Sequence, residues 1–276
     1  MSALLDLHVH SHWSDGDRSP WELVAMAKER GLAGLALTDH DTLAGCPELL
    51  RAGRAQGLPV YLGVEISCVQ ANGRQLHLLG YAVPEEGREA VEAFCRPIRE
   101  GRNQAVLQAA RALAREGYPI SEQRLLAQAG PQGQLCKQYL MAQLLEAGLC
   151  QELYGPLYKR LFKTGEGGRP PIAGLSFPVA EPEEAVRRVT EAGGRAVLAH
   201  PGQYGNYQEI PRLAAAGLWG IEAYHPKHSP EDVNRCLELA RQYGLAVTGG
   251  SDFHGRYGEG EILGEQGVRV SPFAEE

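Results

Sequence analysis

Histidine and acidic side chains are concentrated at residues 5–17, where the sequence reads LDLHVHSHWSDGD. Neither an amphipathic helix nor a buried strand gains stability from such a mixture, because unpaired charge is costly to bury. If residues 4–10 form a strand, His8 and His10 point toward the same face. Asp15 follows in a Ser-Asp-Gly turn that can fold back toward them. Imidazole and carboxylate groups placed in this way can bind a divalent metal ion.

Similar side chains stand at or near other apolar runs along the chain. In barrels and open parallel sheets, chemistry gathers where the strands end. Taken singly, each residue could be a helix cap, a turn residue or a hydrogen-bonding loop residue. Together they predict a metal site, although His77 lies near the start of its run and fits less well. The nine candidate ligands are His8, His10, Asp15, His40, Glu65, His77, His200, Asp252 and His254.

Nine ligands are too many for one zinc ion, which takes about four. The set therefore predicts two or three divalent ions, with Glu65 and Asp252 as bridging ligands. Mixed nitrogen and oxygen ligands without a thiolate suit manganese, iron or zinc, and we favour manganese.

The elements that must position these residues alternate between short apolar runs and helical patterns. This alternation predicts parallel βα units and hence an α/β barrel or a doubly wound sheet. Proline in the first turn and glycine after the last turn support several of the helices. The predicted strands are Leu4–Val9, Leu32–Thr38, Val60–Ile66, Leu76–Val83, Ala196–Ala199, Gly220–Tyr224 and Ala246–Gly249. The predicted helices are Pro20–Arg30, Thr42–Gln56, Pro182–Ala192, Tyr207–Ala216 and Pro230–Tyr243.

Residues 85–164 break this alternation, because they carry helical periodicity and no convincing strand. We predict a helical insertion that caps the site, inserted into a barrel domain formed by residues 1–84 and 165–276. The Gly- and Pro-rich segment Thr164–Pro178 is the predicted return linker.

Composition narrows the classes of partner. The formal charge of −7 over 276 residues argues against binding duplex DNA, which normally needs a basic face. It does not exclude a small anionic substrate, because bound cations would reverse the local field. No apolar run is long enough to span a membrane, and no signal peptide is recognisable, so we expect a cytoplasmic protein. The sequence leaves the oligomeric state open.

Five motifs, DLHVHSHWSDG, LALTDHDT, GVEIS, LAHPG and GGSDFHG, occur in this order. The set resembles the PHP (polymerase and histidinol phosphatase) domain metallophosphoesterases. The resemblance implies a distorted (β/α)7 barrel and a trinuclear metal site. Asp15 stands where many family members have histidine. This form, with an insertion after the fourth strand, resembles the subgroup that acts on nucleoside 3′,5′-bisphosphates and on 5′-phosphorylated short RNA ends.

The resemblance also implies a mechanism in which a metal-activated hydroxide attacks phosphorus and no side-chain nucleophile is needed. Lys137 and Tyr139, in CKQYL, replace the arginine-histidine signature of close relatives, and lysine lacks the bidentate fork. Arg99 and Arg102 are candidates for binding a phosphate, or are solvated helix residues. His225 and His228 are candidates for contacting the substrate, with His225 as a possible proton donor, or are ordinary loop residues.

Three alternative functions remain open at this level. An amidohydrolase also begins with a His-x-His motif, but usually has a bridging lysine, and no lysine stands at a predicted strand end here. A histidinol-phosphate phosphatase would come from within the same family. A catalytically inactive, metal-stabilised binding module would be expected to lack some ligands, and none is missing.

Overall fold

Seven strands form one sheet in which the strand order follows the chain. The computed structural model describes residues 3–130, 133–165 and 170–273. The Leu7 N–H donates to the Gly249 oxygen at 3.1 Å, and the Asp252 N–H donates to the His8 oxygen at 2.8 Å. These bonds join the last strand to the first, so the distorted seven-stranded barrel is nearly closed, as expected. The strands are β1 (Leu5–Asp6), β2 (Gly34–Leu37), β3 (Val60–Val69), β4 (Gln75–Tyr81), β5 (Arg195–Leu198), β6 (Gly220–Tyr224) and β7 (Ala246–Gly249).

The prediction of parallel βα units does not hold for β4. This strand pairs antiparallel with both β3 and β5, whereas the other neighbouring pairs are parallel. Only residues 70–74 separate β3 from β4, and a parallel crossover needs about a dozen residues or more. The start of β4 therefore lies at the barrel edge where the other strands end, and His77 is brought to that edge.

The helices of the barrel domain follow the predicted segments. In α1, Ser19 and Glu22 form a capping box and Pro20 occupies the first turn. The predicted helix from Thr42 begins only at Cys46, and the one at Tyr207–Ala216 consists of a 3-10 turn, Tyr207–Glu209, followed by an α-helix. The helices that follow the chain are α1 (Pro20–Glu29), α2 (Cys46–Gln56), α3 (Glu85–Arg115), α4 (Glu122–Gln128), α5 (Lys137–Glu146), α6 (Pro156–Tyr158), α7 (Pro182–Glu191), α8 (Pro201–Tyr204), α9 (Ile210–Ala215) and α10 (Pro230–Tyr243).

Helices α3–α6, with the π-helical segment Lys159–Thr164 that continues α6, form the cap. The cap has its own apolar cluster, which includes Leu113 and Leu140. Helix α3 belongs to both parts of the protein, because Val91 and Ile98 pack in a barrel cluster and Leu113 packs in the cap cluster. The change from packing against the barrel to packing within the cap therefore occurs inside α3, C-terminal to the predicted domain boundary at residue 85. Residues 166–169 of the predicted return linker lie outside the described residues.

Apolar burial holds the barrel together below its mouth. Leu7, Ile66 and Leu78 are fully buried, and burying such a side chain contributes about 1.5–3 kcal/mol. Among the described residues, none of the helices combines the length and hydropathy needed to cross a membrane.

Candidate metal centre

The carboxylate of Glu65 is the centre of a buried cluster of histidines at the barrel mouth. Its Oε1 lies 2.7 Å from His77 Nδ1 and 3.0 Å from His200 Nε2. Its Oε2 lies 3.4, 3.2 and 3.1 Å from His8 Nε2, His10 Nε2 and His40 Nδ1, respectively. One carboxylate therefore faces two groups of imidazoles with its two oxygens, which is the arrangement that a bridging ligand requires.

Two aspartates extend this cluster. Asp252 Oδ1 lies 3.2 Å from His10 Nε2 and 3.4 Å from His8 Nε2. Asp15 Oδ1 lies 3.2 Å from His254 Nε2 and 3.5 Å from His10 Nδ1. Three groups made only of predicted ligands have ligand atoms within 4.8 Å of one another: His10, Asp15, His40 and His254; His8, His10, Glu65 and Asp252; and His40, Glu65 and His77. With His200 against Glu65, all nine predicted ligands lie in one cluster.

The local backbone explains how distant segments converge. His200 and Asp252 have positive φ angles of 25° and 54°, a conformation that non-glycine residues seldom adopt and that the surrounding structure must hold. Gly250 allows the end of β7 to approach the segment after β1, since a Cβ at this position would lie 2.3 Å from the His8 nitrogen. Glycine is therefore required where these two backbone segments touch.

The electrostatics of the cluster favour charged carboxylates. Burial alone would raise the pKa of Glu65, but His40, His77 and His8 outweigh it and hold the pKa well below its usual range. Burial also opposes protonation of His254, but Asp15 and Asp252 outweigh it and raise its pKa to about 10. The acids and several of the imidazoles at this mouth stabilise each other's charged forms, whereas burial holds the pKa of His40 well below its usual value.

Several buried ligand atoms in the cluster have no hydrogen-bond partner among the described residues. They include Nε2 of His8, both ring nitrogens of His10, Nδ1 of His40 and Oδ1 of Asp252. A buried polar atom without a partner costs about 1–3 kcal/mol. Divalent cations bound among these atoms would satisfy them, and the donor set of imidazoles and carboxylates fits manganese, iron or zinc.

Buried carboxylates around the cluster were not identified from the sequence. Asp39 accepts hydrogen bonds from the Ser11 nitrogen and hydroxyl at 2.8 and 2.7 Å. Asp6 accepts from the Ser251 nitrogen at 2.9 Å. Glu222 contacts His8 and is fully buried. The available signal for Glu222 was an acid in the middle of an otherwise apolar strand, GIEAY.

A cavity of about 670 Å3 lies between the barrel mouth and the cap. Arg102 lines it and pairs with Asp41, while its Nη2 donates to the Ser67 hydroxyl at 2.6 Å. Lys137 also lines it, with Nζ 5.6 Å from the centre of the Tyr158 ring. Burial lowers the pKa of Lys137. Aromatic side chains also line the cavity: Tyr154, Tyr158, Phe162, Phe177 and Tyr204.

The cap also contacts the cluster directly. Gln138 Nε2 donates to Asp15 Oδ2 at 3.1 Å, and Gln134 Nε2 donates to the His40 carbonyl oxygen at 3.1 Å. The cap therefore contributes to the placement of two predicted ligands as well as forming a cavity wall.

Two residues predicted to contact the substrate, Arg99 and His228, instead form hydrogen bonds within the protein. Arg99 Nη1 donates to Glu92 Oε2 at 2.8 Å and to the Asp41 carbonyl oxygen at 2.7 Å. His228 Nδ1 lies 2.8 Å from the Ala223 carbonyl oxygen, and its Nε2 accepts from the Gly202 N–H at 3.0 Å. Both ring nitrogens of His228 are thus occupied by the main chain, which is the loop role that the sequence left open.

His225 and Tyr139 also lie away from the cavity wall. The side chain of His225 is fully buried, with Nε2 3.4 Å from Asp252 Oδ2. The structure places this ring beside a predicted metal ligand, and the role of His225 as a proton donor stays a prediction. Tyr139 packs in the cap cluster, and its hydroxyl donates to the Ser14 carbonyl oxygen at 3.3 Å.

Comparisons with known proteins identify the family of this chain. A family model described as PHP domain matches residues 6–129. Phosphoribosyl 1,2-cyclic phosphate 1,2-diphosphodiesterase from Eggerthella lenta is 41% identical over 254 residues, covering 92% of this chain and 95% of the relative. The 3′,5′-nucleoside bisphosphate phosphatase from Chromobacterium violaceum is 32% identical over 257 residues, covering 91% of this chain and 87% of the relative.

A solved structure has the same fold. It is a protein from Bifidobacterium adolescentis described as a metal-dependent phosphoesterase, and it superposes with a TM-score of 0.85 at 28% identity, covering 97% of this chain and 93% of the other.

Proposed function

Because the chain belongs to the PHP family of metal-dependent phosphoesterases, we propose that it hydrolyses a phosphate ester of a small ribose phosphate. The observation that carries the proposal is the position of Glu65, whose carboxylate lies within 3.4 Å of nitrogen atoms of five histidines. A cluster of this density, beside a cavity, is suited to holding two or three divalent cations next to a substrate.

The nine ligands are the residues proposed to hold these cations, with manganese the favoured ion. When bound, such cations polarise phosphate oxygens and lower the pKa of a coordinated water. Glu65, in contact with both groups of imidazoles, would link neighbouring ions. The imidazoles supply neutral donors and the three carboxylates supply a charge of about −3, whereas two or three divalent cations would supply about +4 to +6. The loaded site would therefore be positive and would attract an anion into an acidic protein.

Lys137 and Arg102 are the residues proposed to bind a second phosphate. Both line the same cavity as several of the predicted metal ligands. The Lys137 ammonium faces an aromatic ring and lies close enough to Asp15 and Glu259 to interact with their charges, and a phosphate oxygen would give it a charge-assisted hydrogen bond. Arg102 is already paired with Asp41, and its contribution is therefore expected to be smaller.

A substrate with two phosphates on one ribose fits this arrangement. We favour nucleoside 3′,5′-bisphosphates, hydrolysed at the 3′-phosphate, or 5′-phosphorylated short RNA ends. The aromatic wall supports a substrate with a base, because aromatic rings stack on bases of any sequence.

A phosphoribosyl cyclic phosphate is the second candidate substrate, and it is favoured by the 41% identity to the E. lenta enzyme. It shares the ribose with two phosphoryl groups and lacks a base. The same cluster and the same cap lysine would serve either substrate.

Product analysis on the purified protein, with and without manganese, tests the proposal. The substrates are adenosine 3′,5′-bisphosphate, a 5′-phosphorylated RNA dinucleotide, phosphoribosyl 1,2-cyclic phosphate, histidinol phosphate and a simple amide. We expect manganese-dependent release of phosphate from adenosine 3′,5′-bisphosphate, or opening of the cyclic ester. Turnover of histidinol phosphate or of the amide alone would contradict the proposal in favour of those activities. Manganese binding without any turnover would favour a binding module.

A further inference from the structure

Strand β6 contains none of the nine predicted ligands, yet it contacts two of them through one side chain. Glu222 lies in the middle of β6 and is fully buried. Its Oε1 lies 3.0 Å from His8 Nδ1, and its Oε2 accepts the His200 backbone N–H at 2.8 Å. Both oxygens of one buried carboxylate are therefore committed to residues of the metal cluster.

The contact with His8 determines which ring nitrogen is available to a cation. A carboxylate beside Nδ1 holds the proton there, so the lone pair of a neutral ring lies on Nε2. That Nε2 faces Glu65 and Asp252, at 3.4 Å from each. Glu222 thus presents the His8 nitrogen that points into the cluster.

The contact with His200 holds a strained backbone. His200 has a φ of 25°, which a histidine does not adopt unless its surroundings impose it. The hydrogen bond from its N–H to Glu222 fixes the peptide at this point, and the side chain then places Nε2 3.0 Å from Glu65.

His225, the residue after β6, makes a comparable contact with a third ligand. Its Nδ1 accepts the Lys227 backbone N–H at 3.1 Å, so in the neutral ring the proton lies on Nε2. Nε2 then points at Asp252 Oδ2, 3.4 Å away. The other oxygen, Oδ1, is left facing His8 and His10.

From these contacts we infer that Glu222 and His225 are positioning residues, which orient His8, His200 and Asp252 for metal binding without contacting the substrate. Partners of this kind typically change metal affinity about 10- to 100-fold when they are replaced. The inference rests on the proposed metal-dependent function. A competing interpretation is that His8, Glu222 and His225, whose ligand atoms lie within 4.8 Å of one another, bind an additional cation themselves.

Manganese binding to the metal-free protein separates these interpretations. The variants are Glu222→Gln, His225→Ala and His225→Gln. Glutamine at residue 222 keeps one acceptor but turns an amide N–H₂ toward the other donor, whereas glutamine at residue 225 can still donate to Asp252. Thr248→Val is the matched control, because Thr248 pairs with Glu222 across β6 and β7 and its buried hydroxyl has no partner among the described residues.

We expect Glu222→Gln and His225→Ala each to weaken manganese binding about 10- to 100-fold by titration calorimetry, with unchanged stoichiometry at saturation. His225→Gln should recover much of the affinity, and Thr248→Val should bind as the wild type does. Activity at saturating manganese should return toward the wild-type level.

Two results would overturn the inference. Wild-type affinity in Glu222→Gln and His225→Ala would show that neither residue orients the ligands, and the loss of one bound ion per molecule would make them ligands. The melting temperature of each metal-free variant shows whether the barrel remains folded. A wild-type protein that binds manganese but hydrolyses no phosphoester would refute the proposed function and leave this inference standing.

Discussion

The barrel mouth and the cap face each other across one cavity, but they are built differently. At the mouth, the carboxylate of Glu65 alone contacts five histidines. In the cap, the ammonium of Lys137 faces one tyrosine ring, and none of the nine metal ligands comes from the cap. The side chains at the mouth are thus held in place by several contacts with one another. In the cap, by contrast, single side chains face the cavity. Mutations at the mouth should therefore affect the chemistry, whereas mutations of the cap side chains that line the cavity should mainly affect substrate binding.

Removing the central carboxylate should have the largest effect. Glu65→Gln keeps the shape but removes the charge that both groups of imidazoles face. We expect kcat to fall by at least about 10³-fold, equivalent to ~4 kcal/mol of transition-state stabilisation, together with a lower metal content measured by mass spectrometry. Chelation of the wild-type protein should cause a comparable loss that added manganese reverses.

Circular dichroism provides the control, because the variant must retain the wild-type secondary structure. Turnover by Glu65→Gln at the wild-type rate would show that Glu65 is not central to the site. It would also contradict the proposed difference between the mouth and the cap.

The convergence of the nine candidate ligands at the mouth could be predicted from the sequence, because position along a strand fixes the direction of a side chain. Ligands that follow β2, β5 and β7 could be recognised from apolar runs that end in His, Asp or Glu. The direction of β4 was missed, although Asn72-Gly73 between two strand patterns is a hairpin signal. Applying that signal would have brought His77 to the same edge as Glu65.

The sequence was less informative about the cap, for a physical reason. Helical periodicity identifies which face is buried, but not which other element covers it. Arg99 and Arg102 are three residues apart on α3, yet Arg99 is bound to Glu92 outside the cavity whereas Arg102 lines it. Such an assignment depends on how α3 crosses the barrel, which no local pattern encodes.

Core substitutions in the cap and in the barrel should have the next largest effects, and they should differ in their effect on metal content. Leu140 is fully buried in the cap cluster, and replacing such a leucine with alanine costs about 2–5 kcal/mol. We expect Leu140→Ala to lower the midpoint of urea unfolding while the metal content remains that of the wild type. The matched variant Ile66→Ala, in a barrel strand next to Glu65, should lower both the midpoint of urea unfolding and the metal content. A loss of bound metal in Leu140→Ala would indicate that the cap and the mouth are not separable.

Lys137→Ala should change substrate binding more than chemistry. The lost charge-assisted hydrogen bond is worth about 1.5–3 kcal/mol, so we expect KM for adenosine 3′,5′-bisphosphate to rise about 10- to 100-fold with a smaller change in kcat. A substrate with one phosphate should be little affected. Arg96→Ala, on the exposed side of α3, is the control. Equal losses for both substrates would contradict a role in binding a second phosphate.

The same lysine predicts a pH dependence. Burial lowers the pKa of Lys137, and only the protonated ammonium binds phosphate strongly. The wild-type KM should therefore begin to rise at a pH below the ordinary lysine pKa of about 10.4, and Lys137→Ala should lack this rise. Lys137→Arg, which stays charged throughout, should move the rise beyond the measured range. If KM depended on pH in the same way in all three proteins, Lys137 would not be the group whose titration changes KM.

The smallest effect is expected for the aromatic wall, and it separates the two candidate substrates. Phe177 lines the cavity and lies over Arg102, with the guanidinium carbon 5.2 Å from the ring centre. Stacking of a base on an aromatic ring is worth about 1–3 kcal/mol, and leucine would retain part of it through apolar contact. We therefore expect Phe177→Leu to raise KM for adenosine 3′,5′-bisphosphate about 3- to 10-fold and to leave KM for phosphoribosyl 1,2-cyclic phosphate unchanged, because that substrate has no base. Equal KM increases for both would assign Phe177 to the placement of Arg102, and no change for either would mean that the base binds elsewhere in the cavity.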